Sequence, residues 1–206
     1  MDIQLRFVNE SNDRNNSEIL IFSKNVATSA EEVAVAWTVI KNCGRGAWHP
    51  FTYPLTSQVG AADADGNHMP LLDAQAGQLF DVKMDLSGHV LAPAKEGASN
   101  GQEIQITNSL TEGSISACIY KDGRLFAMKT GVAPQQKAGF GFKPTIWVGV
   151  ASQVDEGALL NEAIVSSIDT EITLDGIAKA DIVMTGGGSG PDAQPFMFTL
   201  QNVVMA

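Results

Sequence analysis

The amino-acid sequence predicts an all-β protein: one single-domain antiparallel β-sandwich over residues 1–206, jelly-roll-like or a closed barrel, with at most one or two short helices. Two observations carry that expectation. The first is Asp122-Gly123, set between the apolar runs Ser114–Lys121 and Arg124–Thr130. A two-residue type I′ turn needs positive φ at both central positions, which Asp-Gly tolerates, so the pair marks a hairpin. The second is that roughly a dozen short runs alternate apolar and polar residues between turns rich in Gly, Pro, Asn and Asp, as in sandwiches and barrels.

The hairpin predicts a register. Tyr120 falls opposite Leu125, Ile119 opposite Phe126 and Ala117 opposite Met128. One face then carries Ile115, Ala117, Ile119, Phe126 and Met128, and the other Ser116, Cys118, Tyr120 and Lys129. Register and hydrophobic pattern agree, as a sheet buried on one side requires.

Taken in order, Asp2–Asn9 alternates Ile3, Leu5 and Phe7 against Gln4 and Arg6, and reads as a strand. Glu10–Ser17 is a polar loop, and Glu18–Phe22 a second strand. Ser29–Asn42 holds two signals. Ser29 with Glu32 forms a capping box, whereas Val33, Val35, Trp37 and Val39 alternate and are rich in β-branching; propensity and period together predict a strand. Cys43–Pro50 is a glycine-rich loop, Phe51–Val59 is extended with Pro54 at an edge or bulge, and Ala61–Pro70 is a second polar loop. Gln78–Ser87 places Phe80, Val82, Met84 and Leu86 on one side of a strand. Leu91–Gly101 reads as loop. Strands follow at Glu103–Ile106, Phe140–Phe142, Thr145–Val150, Glu171–Leu174, Asp181–Thr185 and Pro195–Val203, with a short helix candidate over Asp155–Ile168 and a loop over Gly186–Gln194. Trp37 and Trp147 lie in alternating runs and are expected in the core.

The formal net charge of −10 argues against nucleic acid and anionic membrane, both of which are held by clustered Lys and Arg. Charged residues make up only 17% of the chain, against about 25% in ordinary domains. Neutral surface of that extent is buried in a homo-oligomer, used for binding, or solvated by small polar side chains. No apolar run is long enough to cross a membrane as a helix. Met1–Arg6 carries no signal-peptide pattern, so the expected location is cytoplasmic, or exported without a cleaved signal. Cys43 and Cys118 have no ligand spacing and are expected to be free and buried.

Chemistry, if present, belongs to the loops. In Gly44-Arg45-Gly46-Ala47-Trp48-His49-Pro50, an exposed Trp48 would stack on a sugar ring or enter a partner's pocket, with Arg45 and His49 donating hydrogen bonds beside it. The alternative is a Trp48 folded back to plug one end of the sandwich. Asp63-Ala64-Asp65-Gly66-Asn67 resembles the opening of a calcium loop through Asp63 and Asp65. Its glycine comes too early, however, and the bidentate Glu is missing, which favours an Asx-rich turn. His49, His68 and His89 with an Asp are the residue types of a non-haem iron or other transition-metal site, but their spacing is long. Gly186–Gly190 lacks the Lys-Ser/Thr of a phosphate loop, and no serine elbow or Cys-His pair is present.

The segments RFVNESNDRNNSEILIFSKN (6–25) and IYKDGRLFAMKTGVAPQQKAGFGFKPTIWVGV (119–150) resemble small uncharacterised bacterial β-sandwich proteins. That resemblance implies the fold and assigns no activity to any residue.

The expected function is therefore a non-enzymatic sandwich acting through its surface. It would bind a carbohydrate or protein ligand through Arg45, Trp48, His49, Asn67 and His68, or self-assemble as a homo-oligomer. One alternative is a metal-dependent enzyme such as an iron dioxygenase built on His49, His68 and an Asp. The other is a pore-former inserting the Ser/Thr-rich, alternating segment Glu103–Ser116.

Overall fold

A computed structural model of the chain describes residues 2–14, 17–27 and 33–206. The capping-box residues Ser29 and Glu32 lie outside the described residues. In chain order the strands are β1 (Ile3–Asn9), β2 (Glu18–Phe22), β3 (Val33–Ala34), β4 (Thr38–Ile40), β5 (Trp48–Tyr53) and β6 (Ser57–Ala62). They continue with β7 (Leu72–Ala74), β8 (Gln78–Asp85), β9 (Gly88–Gly97), β10 (Ile104–Asn108), β11 (Ile115–Lys121) and β12 (Arg124–Val132). The last are β13 (Lys137–Phe140), β14 (Thr145–Ala151), β15 (Glu171–Thr173), β16 (Ile177–Gly187) and β17 (Gln194–Met205). Among the described residues a single α-helix, α1 (Glu162–Ser167), begins on Asn161, whose side chain accepts from the Ile164 amide. The protein is all-β, as its residue pattern predicts. The sheets are open, so the sandwich is the right architecture and the closed barrel is not.

The chain forms two compact units. Met1–Lys24, Val35–Leu55 and Pro144–Ala206 make the first, and Asn25–Ala34 with Thr56–Lys143 the second. The first unit contains a sheet ordered β17-β16-β1-β5 and another ordered β15-β14-β2-β4. Its core takes Leu5, Phe7, Leu20, Trp37, Tyr53, Val148 and Ile182, all buried. Trp37, just before β4, packs edge-on against Phe51 and Tyr53 of β5, with ring centroids 6.2 and 5.6 Å away, and so joins the two sheets. The second unit contains β13-β10-β8-β9 and β3-β12-β11-β6-β7. Phe80, Ile106, Ile119 and Phe126 fill it. The buried Asn108 of β10 donates to the Val132 carbonyl of β12 and the Gly113 carbonyl while accepting from the Leu110 amide, so its polar groups bind backbone rather than going unpaired.

The central hairpin forms with the predicted turn: Asp122 has φ +53° and Gly123 φ +70°. Its register needs correction. Tyr120 faces Leu125, but a bulge then inserts Phe126, so Ile119 faces Ala127, Cys118 faces Met128 and Ala117 faces Lys129. Phe126 and Ala127 are both fully buried, as are Ala117, Cys118 and Ile119 on the facing strand, so the hairpin is covered on both faces here rather than on one. Other departures share one cause: alternation reports which face a side chain takes, not whether anything covers it. Met84 and Leu86, in phase with the buried Phe80 and Val82, lie beyond Val82, where the pairing of β10 with β8 ends, and are exposed at the β8–β9 tip. Leu91–Gly101, expected as loop, is mostly strand β9 despite Pro93, because β9 is an edge where the missing N–H costs no ladder bond. The run from Val33 to Val39 breaks into β3 and β4 around Ala36 and Trp37. Trp147 is half-buried beside Phe22, with the Lys24 ammonium 4.8 Å over its ring. Cys43 and Cys118 are free and buried, as expected.

Trp37 and Trp48 test this division of the first unit into core and surface. Trp37→Ala is expected to lower stability by about 3–5 kcal/mol, and Trp48→Ala to stay within about 0.5 kcal/mol of wild type, both read from urea unfolding monitored by circular dichroism.

Candidate functional site

In the first unit, β1 runs between β16 (parallel) and β5 (antiparallel). Period-two alternation buries Ile3, Leu5, Phe7 and Asn9 and turns Gln4, Arg6 and Val8 to the opposite face. The register then sets Arg6 beside Asp181 and Pro50, and Val8 beside Trp48. Arg6 meets Asp181 as a fork: Nε to Oδ1 at 2.9 Å and Nη2 to Oδ2 at 2.6 Å. Asn202 on β17 donates Nδ2 to the same carboxylate at 2.7 Å. The Asp181 side chain is only 3% exposed, that of Arg6 43%. The guanidinium hydrogen bond is the main reason the Asp181 carboxyl sits below its ordinary pKa, with Asn202 adding to it against the opposing effect of burial. The same bond and the carboxylate charge raise the Arg6 pKa. The guanidinium carbon also lies 5.8 Å from the centroid of the Trp48 ring, close enough for cation–π attraction.

Trp48 itself is 58% exposed and does not plug the sandwich. Buried Asn9 holds the loop that leads to it. Its Nδ2 donates to the Cys43 carbonyl at 2.6 Å, and its backbone carbonyl and amide pair with Gly46 and Ala47. Arg45 is exposed on the turn at Gly46, whose φ of +81° a glycine adopts without strain. His49 is exposed too, but as the next residue of β5 it points to the opposite face from Trp48. The polar groups that stand with Trp48 are Arg6, Asp181 and Asn202. No motif marks them, because they come from strands as distant in sequence as β1 and β17.

In the second unit, Asp63 closes the β6–β7 loop on itself. Its Oδ1 accepts from the Asp65 amide at 3.0 Å and the Asn67 amide at 2.9 Å, and its Oδ2 from Asn67 Nδ2 at 3.0 Å. His89 Nδ1 donates to Oδ2 at 3.1 Å. These donors, Asn67 first, pull the Asp63 carboxyl down to about 2. The loop forms an Asx-rich turn with Asp63 as its acceptor. Asp63, Asn67, His68, Met84 and His89 line a concavity of about 360 Å³. Asp63, Asp65 and His89 also border an adjoining one of about 460 Å³. Among the described residues, no three His, Cys, Asp or Glu side chains gather so as to hold a metal ion. Glu103–Ser116 is divided between two strands. Its first part enters β10 and its end enters β11, in two different sheets.

No protein family, curated protein or solved structure matches the chain. The chemistry of these two places has to be read from their own side chains.

Asp63 ties loop conformation to pH. A carboxyl whose pKa falls from 3.8 to about 2 on folding stabilises fully above the ordinary value and progressively less as pH drops through 2. Asn67→Ala removes the largest cause, so the Asp63 carboxyl resonance followed by NMR is expected to titrate at a pH above 2, toward 3.8.

Proposed function

We propose that this chain is a non-enzymatic carbohydrate-binding sandwich whose contact surface is the outer face of the β17-β16-β1-β5 sheet around Trp48. One observation carries the reading: a large aromatic ring that is 58% exposed, standing over a strand face beside an arginine fixed by a buried carboxylate. A flat indole is a platform for the C–H face of a pyranose. Of the five guanidinium N–H donors, the fork to Asp181 uses two and leaves others for sugar hydroxyls. Because Asp181 and Asn202 hold Arg6 in place, little side-chain freedom is lost on binding. The net charge of −10 repels polyanions, so the fitting ligand is a neutral oligosaccharide.

Binding is favoured over hydrolysis by the state of the carboxylate. Glycoside cleavage uses two carboxyl groups, one of them an acid with a raised pKa. Asp181 is shifted the other way, and its neighbours Arg6, Asn202 and Gln201 bring no second carboxyl.

Titration calorimetry against a panel of neutral oligosaccharides tests this. Binding is expected for at least one member, with Trp48→Ala weakening it roughly tenfold or more, about 1.4 kcal/mol, while Arg45→Ala changes it little. Failure of every member of the panel to bind, or a Trp48→Ala variant that binds as well as wild type, overturns the proposal.

A further inference from the structure

The same sheet has a second feature, on its far edge. Strand β17 spans 12 residues and, among the described residues, pairs only with β16, so its other side presents a row of unpaired N–H and C=O groups. Proteins ordinarily blunt such edges with short strands, prolines or charges, because an open edge templates pairing with another strand. The remaining edges here follow that practice. β3, β4, β7, β13 and β15 have four residues or fewer; β5 carries Pro50; β9 carries Pro93, Lys95 and Glu96. β17 is blunted only by bulges near its two ends, at Pro195–Phe196 and at Asn202–Val203, where Asn202 has φ +50°, which leaves Met197–Gln201 as its regular stretch. Residues 194–206 contain no Lys, Arg, Asp or Glu in a chain with 36 of them elsewhere, and its one proline, Pro195, stands at the start of the strand beside the turn. Met197, Val203, Val204 and Met205 are exposed along it.

We propose that β17 is a homodimer edge, pairing antiparallel with β17 of a second copy of this chain. The unpaired backbone fixes the occupant as an extended strand, since only a strand returns both donors and acceptors at the right spacing. Charge selects among strands. A basic partner would be drawn to an acidic edge, and β17 has no acid. Two copies that each carry −10 meet with least repulsion along a strip free of charge. Antiparallel pairing of a strand with its own copy is isologous, so every residue that fits one way fits the other.

The dimer joins two four-stranded sheets into one of eight, related by a two-fold axis normal to the sheet. Both Trp48 residues then emerge on the same face, separated by seven strand spacings, on the order of 30 Å. This arrangement does not depend on what Trp48 binds. If the face does take oligosaccharide, dimerisation makes the protein bivalent toward a polymer.

Sedimentation equilibrium of the full chain across a range of concentrations tests the edge. A dimer is expected, with Thr199→Lys/Gln201→Lys reducing it to monomer, because antiparallel pairing sets the new charges against one another. Ser166→Lys, on exposed α1, is expected to leave the dimer intact. Hydrogen exchange on the wild-type chain supplies a readout that needs no variant: β17 amides should be protected at high concentration and exchange faster on dilution. A wild-type monomer, a dimer untouched by the lysines, or β17 exchange independent of concentration overturns the proposal. None of these outcomes bears on oligosaccharide binding, which calorimetry measures separately.

Discussion

The fork between Arg6 and Asp181 is the interaction on which the candidate site rests. Strand β1 lies between a parallel and an antiparallel neighbour, and only that register brings a cation from one end of the chain to a carboxylate near the other. A carboxylate with 3% of its side chain exposed is costly to desolvate alone. The guanidinium and Asn202 restore the hydrogen bonds that water would have made. The arginine, fixed by that duty, cannot wander, and Trp48 gains a rigid neighbour.

Below that face, the loop before Trp48 is held by polar groups rather than by apolar packing. Asn9 is almost fully buried and spends its side chain on the Cys43 carbonyl and on Ser11, while its backbone pairs with the turn. In the second unit Asn108 does the corresponding work, fastening β10 to the loop that enters β11 and to β12. Asp63 does it at the surface. In each case an Asx side chain replaces a missing ladder bond where a strand ends, which lets strands this short stop cleanly and hold their connecting loops in one conformation.

The sheet that carries Trp48 is asymmetric in its edges. β5 ends the hydrogen-bond ladder with Pro50, and β17 leaves it open and uncharged. The sparse charge of the chain is thus unevenly placed, with the neutral stretch concentrated where strand pairing is possible. One edge is closed to further strands and the other is suited to them.

The all-β class, most strand positions, the Asp122-Gly123 turn and the free thiols could be read from the residues alone, because period, turn chemistry and composition are local properties. Trp48 could be singled out for the same reason, from its glycine-rich loop. Its exposure and its companions could not. His49 is next to Trp48 in the chain but faces the other way, while Arg6, Asp181 and Asn202 reach the same face from β1, β16 and β17. The bulge at Phe126 and the exposure of Met84 and Leu86 were equally hidden, since the alternation of a single strand does not say what its neighbours cover. Local pattern determined the strands and the turns. Which strands became neighbours, and in what register, was decided only by packing and hydrogen bonding between segments far apart in the chain, and the candidate site exists only at that level.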